Sequence, residues 1–470
     1  MDYQLTVGLE IHAELSTETK LFCTCANRFG GEENTRTCPV CMGFPGTLPV
    51  LNRKAVKLAV KAGLCLRGEI QLYSAFDRKN YFYPDLPKAY QITQFYHPIC
   101  KGGYVEAAGR RIGIQRIHIE EDAGKLTHDP EAGVSRADYN RCGVPLVEIV
   151  TRPEIHTPEE ARDFVAAVAR RLRYAGVCDG RMEEGSLRCD VNLSVCRPGE
   201  PLGVRTEMKN LSSLRTVRRA VEAEYRRQVE LLAAGGQVVQ ETRRFDEKTG
   251  LTHSLRDKAE AADYRYFPEP DLPPLRLTRE EVEAMERTLP EMPESRQKRY
   301  LALGLPGEDA ALLTEDRALS DFYDQVTACY PAYKAAASLI RVELLRCIKE
   351  EGQGMARLPK PEALARLTEM QETGRISKGS ARQILGQMYR TGEEPEEIAR
   401  REGLYLTWDE NAVDGVIEEV LAAHPAAVEQ YLSGEEKVLG FFVGQTMRRL
   451  GKAADPALVR RKIAERLAEE

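Results

Sequence analysis

The chain has 470 residues, a length that suggests about two to four domains. Hydrophobic residues make up 42% and charged residues 30%, so the chain can bury a core and still present a polar surface. Its formal net charge of −6 argues against a protein that coats nucleic acid through bulk positive charge, but it is compatible with local basic patches.

The chain is expected to remain in the cytoplasm. It contains no run of about 18 apolar residues, and its first residues lack the basic and apolar regions of a secretory signal. Disulfides are rare in that compartment, so the 12 cysteines are expected to bind metal or to be buried as thiols.

Several segments before residue 290 alternate between apolar and polar residues, as strands with one buried face do. They cover 5–14, 116–120, 146–150 and 188–195. A long amphipathic helix is predicted to begin after Ser213 and to end at Gly235. These patterns predict an α+β fold with a largely antiparallel sheet, one face on a helical layer and the other in water.

The chain changes character near Pro290, after which stretches rich in Ala, Leu, Glu and Arg predict helices. A second break is expected near 403–409, leaving a small helical unit at the end of the chain. The expected domains are therefore a sheet domain over 1–292, a helical domain over 293–404 and a tail domain over 405–470.

Four cysteines form two close pairs. Cys23 and Cys25 are followed by Cys38 and Cys41, and four thiolates in this arrangement can close a tetrahedral Zn²⁺ site. With every position filled by protein, such a site would be structural and would stabilise the 23–41 loop. Unpaired buried cysteines and a redox or cluster site are the alternatives.

Several familiar motifs are missing from the sequence: there is no Walker phosphate loop, no dinucleotide fingerprint, no kinase motif set and no hydrolase nucleophile elbow. Instead, the polar face of the predicted sheet gathers Glu10, His12, Glu121, Glu148 and Asp190, with Glu184 as a candidate neighbour. Oxygen ligands of this kind suit Mg²⁺, and two such ions can neutralise a transferring phosphoryl group. The alternative is the solvated face of a sheet, although Glu148 lies inside an apolar run where burial would be costly.

Two further features leave a choice open. Aromatic and basic residues interleave at 76–85 and 263–271, and such rings could stack on a base or a ribose, or pack on their own sheet. Near the end of the chain, seven basic residues accompany one acid, Asp455, which suits a phosphate backbone or a solvated helix face. The basic residues are Lys437, Arg448, Arg449, Lys452, Arg460, Arg461 and Lys462.

Several long motifs resemble those of one known family. They are VGLEIHAEL (7–15), FDRKNYFYPD (76–85), PKAYQITQ (87–94), IHIEEDAGK (117–125), MEEGSLRCDVN (182–192), QETRRFD (240–246) and LGFFVGQ (439–445). Together they closely resemble the B subunits of the bacterial aspartyl/glutamyl-tRNA amidotransferases, nearly from end to end. Two departures are the cysteines, which some members lack, and Ser338-Leu339, where the family usually has Asn-Trp.

The resemblance implies a cradle domain similar to glutamine synthetase, then a helical domain and a small tail that binds tRNA. It implies activation of the side-chain carboxylate of Glu-tRNA(Gln) or Asp-tRNA(Asn) with ATP and Mg²⁺. Ammonia from glutamine hydrolysed in a partner amidase subunit then displaces the phosphate, and a small third subunit joins the two larger ones.

Carried onto this chain, the resemblance assigns the magnesium ligands to His12, Glu121 and Glu148. Glu10 and Asp190 complete the expected catalytic group. Lys79, Glu184 and Arg188 are the expected contacts to the nucleotide. A tRNA-binding scaffold without catalysis is the second hypothesis, and a stand-alone ATP-dependent carboxylate–amine ligase is the third.

Overall fold

The computed structural model describes residues 3–129, 131–257, 264–351, 354–406, 410–433, 437–450 and 456–468. The chain divides into two compact units, Met1–Pro293 and Glu294–Glu470. The first is built on a large sheet and the second is helical, which confirms the mixed α+β class. None of the described helices is long and apolar enough to cross a membrane.

The first unit contains seventeen strands and four helices among its described residues. The strands are β1 Gln4–Glu14, β2 Glu69–Ile70, β3 Tyr73–Ser74, β4 Asp77–Asn80, β5 Tyr90–Thr93, β6 Cys100–Lys101, β7 Tyr104–Ala107, β8 Arg110–Glu121, β9 Lys125–Asp129, β10 Val134–Asp138, β11 Pro145–Thr151, β12 Leu187–Cys196, β13 Thr206–Leu211, β14 Glu241–Asp246, β15 Leu251–Asp257, β16 Phe267–Pro268 and β17 Leu275–Arg276. The helices are α1 Arg53–Cys65, α2 Pro158–Tyr174, α3 Leu214–Ala233 and α4 Arg279–Glu286.

The main sheet has ten strands in the order β15-β14-β13-β12-β1-β11-β8-β6-β2, with β7 also paired to β8. Its described pairs are antiparallel except β13 with β14, which are parallel and joined through α3. The four strands predicted from alternation are its central strands β12, β1, β11 and β8. The largely antiparallel sheet is therefore as expected.

One face of this sheet forms the core. Leu5, Val7, Leu9 and Ile11 of β1 are at most 4% exposed, and α2 packs on β1 while α3 packs on β12. The predicted helix α3 begins where Ser213 caps it, because the Ser213 side chain accepts a hydrogen bond from the backbone of Thr216. It ends before Gly235, whose φ of +79° suits glycine.

A smaller sheet closes over one end of the opposite face. It has three strands in the order β16-β4-β5, and β5 packs against β8. This arrangement brings two segments distant in the chain, 76–93 and 264–271, to the same place.

The described helices of the second unit run from α5 to α16, in agreement with the helical pattern after Pro290. They are α5 Pro293–Ala302, α6 Gly307–Leu313, α7 Arg317–Cys329, α8 Tyr333–Leu339, α9 Leu345–Glu351, α10 Pro361–Glu372, α11 Lys378–Thr391, α12 Pro395–Arg401, α13 Glu410–Ala423, α14 Pro425–Leu432, α15 Val438–Leu450 and α16 Pro456–Ala468. A π-helical turn, Ile340–Leu344, and a 3₁₀ turn, Gly354–Arg357, lie among them.

Buried apolar side chains in this unit form two clusters, one from Tyr300 to Leu404 and one from Val413 to Leu467. Positions 407–409, within the second predicted domain break, lie outside the described residues. The three-part domain division stays a prediction.

Candidate active site and metal centres

Strand register brings the predicted polar residues together on the second face of the sheet. His12 of β1 lies opposite Glu148 of β11 on one side and opposite Arg188 of β12 on the other. Glu10 lies opposite Asp190. Because side chains directly opposite each other share a face, the pairing of β1 with β11 and β12 places these residues together.

The first acid group consists of His12, Glu120 and Glu148, whose ligand atoms lie within 4.8 Å of one another. The Nε2 atom of His12 is 3.5 Å from Glu120 Oε1 and 3.7 Å from Glu148 Oε2. The side chains are only 19%, 5% and 13% exposed, respectively. The expectation of a face open to water is therefore wrong here, because the smaller sheet β16-β4-β5 packs over this end of the main sheet.

His118 lies beside this group and balances its charge. Its Nε2 atom is 3.0 Å from Glu148 Oε2, while its buried Nδ1 has no hydrogen-bond partner among the described residues. Burial lowers the pKa of His118, but the carboxylates of Glu148 and Glu120 outweigh this effect and raise that pKa to about 9. Burial likewise raises the pKa of Glu148, yet His118 and His12 hold it below its ordinary value.

The second acid group consists of Glu10, Asp190 and Glu207, again with ligand atoms within 4.8 Å of one another. Lys209 Nζ lies 2.9 Å from Asp190 Oδ2 and 3.0 Å from Glu207 Oε1. Burial and the neighbouring acids, Glu148 first among them, raise the pKa of Glu10. A site that disfavours several negative charges at once is one that a divalent cation can stabilise.

Glu121, expected beside His12, does not join either acid group. Adjacent strand residues point to opposite faces, and here Glu120 faces His12. The Glu121 carboxylate instead contacts Lys88 Nζ and accepts a hydrogen bond of 3.0 Å from the backbone of Ile92. The acid beside His12 is thus Glu120, one residue before the predicted Glu121.

The three residues expected to contact the nucleotide lie at different distances from the two acid groups. Lys79 lies in the site, where its ammonium interacts with the carboxylates of Glu120 and Glu148. Arg188 lies nearby and donates to Asp122 Oδ2 at 2.7 Å. Glu184 lies outside both acid groups and pairs with Arg181 at 2.7 Å.

The four cysteines of the predicted zinc site do come together, with sulfur atoms within 4.8 Å of one another. A hydrogen bond with Cys23 lowers the pKa of Cys41 to about 5 and raises the pKa of Cys23. The fully buried Lys20 extends its Nζ to 3.7 Å from Cys41 Sγ. Four thiols with one thiolate favoured and a cation beside it suit a Zn²⁺ ion.

The aromatic segments meet beside the first acid group, because β16 pairs with β4; position 263 lies outside the described residues. In the basic stretch, Lys462 pairs with Asp414 at 2.7 Å and Arg449 with Glu419 at 3.1 Å. Acids of α13 therefore offset part of its charge. Lys452 and Asp455 lie outside the described residues.

Sequence reasoning missed four residues of these sites: His118, Glu120, Glu207 and Lys20. The alternation at 116–120 placed His118 and Glu120 on the polar face and could have identified both. Glu207 belongs to a strand that was not predicted. No local signal identifies Lys20, because its role depends on a loop that folds back over it.

Two family models match the chain. Residues 5–283 match the one described as the GatB/GatE catalytic domain, and residues 321–467 match the GatB domain. Most of the first unit, including the residues of both acid groups, thus lies within the range matched by the catalytic-domain model.

Relatives align with the chain over its whole length. The B subunit of the aspartyl/glutamyl-tRNA(Asn/Gln) amidotransferase of Carboxydothermus hydrogenoformans is 46% identical over 100% of this chain and 99% of its own. That of Thermodesulfovibrio yellowstonii is 46% identical over 100% of both chains. The chain therefore belongs to the family of aspartyl/glutamyl-tRNA(Asn/Gln) amidotransferase B subunits.

Proposed function

We propose that this chain is the carboxylate-activating subunit of a glutamine-hydrolysing, tRNA-dependent amidotransferase. Its substrates are Glu-tRNA(Gln), Asp-tRNA(Asn) or both, together with ATP. Its partners are an amidase subunit, which supplies ammonia, and a small third subunit. The products are Gln-tRNA(Gln) and Asn-tRNA(Asn) for translation.

The observation that carries the proposal is the convergence of two acid groups on neighbouring strands of one sheet face. We assign one Mg²⁺ to His12, Glu120 and Glu148 and a second to Glu10, Asp190 and Glu207. When bound, Mg²⁺ supplies positive charge for the phosphate oxygens of ATP. Partial burial strengthens such charge stabilisation, because less water screens it.

The reaction has two steps. An oxygen of the side-chain carboxylate attacks the γ-phosphorus of ATP and ADP leaves. Ammonia then attacks the activated carbonyl carbon, inorganic phosphate leaves, and the nitrogen loses a proton. A free carboxylate is a poor acyl donor, so phosphorylation provides the leaving group.

Lys79 is assigned to orientation of the phosphoryl group, because its ammonium interacts electrostatically with Glu120 and Glu148. Arg188 is assigned to a neighbouring phosphate, and its pairing with Asp122 orients the guanidinium. Glu184 remains a proposed nucleotide contact that would have to act from outside the acid groups.

Zinc is assigned a structural role at Cys23, Cys25, Cys38 and Cys41. We further propose a cradle similar to glutamine synthetase over 1–292, a helical domain over 293–404 and a tRNA-binding tail over 405–470. Separate clusters of buried side chains within 300–404 and 413–467 support the division of the second unit.

The test uses the chain in complex with the amidase and the small third subunit, with Mg²⁺, ATP, ammonium and Glu-tRNA(Gln) or Asp-tRNA(Asn). Gln or Asn on the recovered tRNA is the expected product, and Glu148→Gln should reduce its formation at least 100-fold. Ammonium bypasses glutamine hydrolysis, so the readout belongs to carboxylate activation. Absence of product while tRNA still binds would favour the scaffold hypothesis, in which His118 and Lys209 simply neutralise the acids.

A further inference from the structure

Four aromatic rings form a cluster beside the first acid group; we call Tyr81, Phe95, Tyr264 and Tyr266 the aromatic cluster. Phe95 and Tyr266 stack with their centroids 4.0 Å apart and their planes 11° apart. Tyr264 makes edge contacts of 6.0 Å with both Tyr81 and Tyr266. The rings come from two segments that are far apart in the chain.

Strong polar contacts hold these segments together. Arg78 donates to both oxygens of Glu269 at 2.7 and 2.9 Å, and the Glu269 side chain is fully buried. The Asp77 carboxylate accepts hydrogen bonds from the backbone of Phe95 and Tyr96. The rings are therefore positioned before any ligand arrives.

The fixed rings are nevertheless only partly covered: Tyr81, Tyr264 and Tyr266 are half-buried, and Phe95 is exposed. Phe95 is 41% exposed and its neighbour Tyr96 is 53% exposed. Arg265, between the two tyrosines of the cluster, has a φ of +42°, a conformation that is costly for a side chain other than glycine. Strained backbone beside partly exposed rings is typical of a binding surface rather than of a core.

The aromatic cluster adjoins the reacting centre. Thr93, two residues before Phe95, donates from its hydroxyl to Glu120 Oε2 at 3.4 Å. Lys79 Nζ lies 4.9 Å from the Tyr264 ring centroid and 5.9 Å from that of Tyr81. A ligand on the rings would thus reach Lys79 and the first acid group at once.

We propose that the aromatic cluster binds the adenine of the 3′-terminal adenosine of the aminoacyl-tRNA. The proposal rests on the proposed function. In an aminoacyl-tRNA, the reacting carboxylate is joined to that adenosine through one amino acid and one ester. When the carboxylate lies at Lys79 and Glu120, the adenine must therefore lie close by, and the exposed ring of Phe95 is a suitable stacking partner.

ATP carries the same base, and the structure offers it a different place. A cavity of about 280 Å³ lies next to Glu10, lined by Gly8, Asn192, Leu202 and Arg205. Gln115 of β8 and Thr151 of β11 also line it, whereas the aromatic cluster adjoins Glu120, which is near the opposite end of β8. This separation assigns the rings to the tRNA end.

The test measures how tightly the three-subunit complex binds tRNA(Gln) with and without its terminal adenosine. The affinity ratio is the affinity for the complete tRNA divided by the affinity for the tRNA that lacks its terminal adenosine. Phe95→Ala should lower this ratio about 5- to 100-fold. Phe95→Tyr should retain it, because the ring remains. Phe82→Ala is the matched control, since Phe82 is 79% exposed but outside the cluster.

The KM for ATP distinguishes the two sources of adenine and should be unchanged in Phe95→Ala. A raised KM with an unchanged affinity ratio would assign the rings to ATP and overturn the proposal. An unchanged ratio and an unchanged KM would also overturn it. If the wild-type complex forms no amidated tRNA, the proposed function fails. If the wild-type complex is active but Phe95→Ala leaves the affinity ratio unchanged, only this inference fails.

Discussion

At the scale of the residue, the alternation of side chains along a strand decides which of two neighbouring acids faces the site. Glu120 and Glu121 are neighbours, and only Glu120 shares the face of His12 and Glu148. Glu120→Gln should raise the Mg²⁺ concentration needed for half-maximal amidation at least tenfold. The measurement is a Mg²⁺ titration of ATP-dependent amidation by the complex.

Glu121→Gln is the matched control, because it makes the same chemical change one residue away. Its Mg²⁺ requirement should remain within about twofold of wild type, whatever its effect on maximal rate. A shift for Glu121→Gln, with none for Glu120→Gln, would return the ligand role to the residue expected from the sequence.

Lys20 affects the zinc site through charge. A Zn²⁺ ion with four thiolates carries two net negative charges, and the buried ammonium of Lys20 compensates one of them. Lys20→Met should therefore release zinc to a chelator about 10- to 100-fold more readily, measured by a colorimetric zinc indicator. Lys54→Met, at an exposed lysine, should match wild type.

At the scale of the element, α3 is attached to the sheet by a buried ion network. Arg227 Nε donates to Glu224 Oε2 at 2.9 Å, and Arg243 of β14 lies 3.2 Å from the same oxygen. Burial raises the pKa of Glu224, but hydrogen bonds from Arg227, Gln228 and Thr252 outweigh it and hold the pKa below its ordinary value.

This lowered pKa predicts a loss of stability in acid. A carboxylate whose pKa is lower in the folded chain stabilises it above the ordinary glutamate pKa of about 4.3, and the contribution is lost as pH falls through the folded value. Glu224→Gln should cost about 3 kcal/mol at neutral pH and should weaken the fall in unfolding free energy between about pH 5 and 3. Denaturant titrations at several pH values measure both effects.

The control lies on the same helix. Glu222 is 46% exposed and pairs only loosely with Arg226 at 3.5 Å. Glu222→Gln should change the unfolding free energy by less than about 0.5 kcal/mol at any of these pH values. Equal effects of the two substitutions would show that the buried network stabilises the fold no more than an exposed ion pair does.

Elements with a strong repeating pattern could be predicted from the sequence, and others could not. The alternation around His12, Glu148 and Asp190 identified β1, β11 and β12, and the stripe after Ser213 identified α3. Strands of two residues, such as β2 and β16, have no period to detect. Glu207 was missed because its strand β13 was not predicted, and only the pairing of β13 with β12 brings it beside Asp190.

At the scale of the whole molecule, the chain contains separate cores. Leu364 is fully buried in the cluster within 300–404, which shares no residue with the core of the first unit. Leu364→Ala should cost about 2–5 kcal/mol in unfolding of the second unit. Zinc content should be unchanged, because the four cysteines belong to the first unit.

Calorimetry together with zinc release can follow the two units separately. The variant should lower the temperature of one transition and leave the transition that accompanies zinc loss in place. Simultaneous movement of both transitions by the same amount would instead mean that the chain unfolds as one cooperative body.

The central position of β1 also has a consequence for biosynthesis. This strand leaves the ribosome well before its partners, which are β11, at Pro145–Thr151, and β12, at Leu187–Cys196. At about 5–20 residues per second, roughly 10 to 40 s pass before both partners have been made. Until then the nascent chain carries an apolar strand with at least one unpaired edge, so its early folding depends on protection from other chains more than on its own final stability.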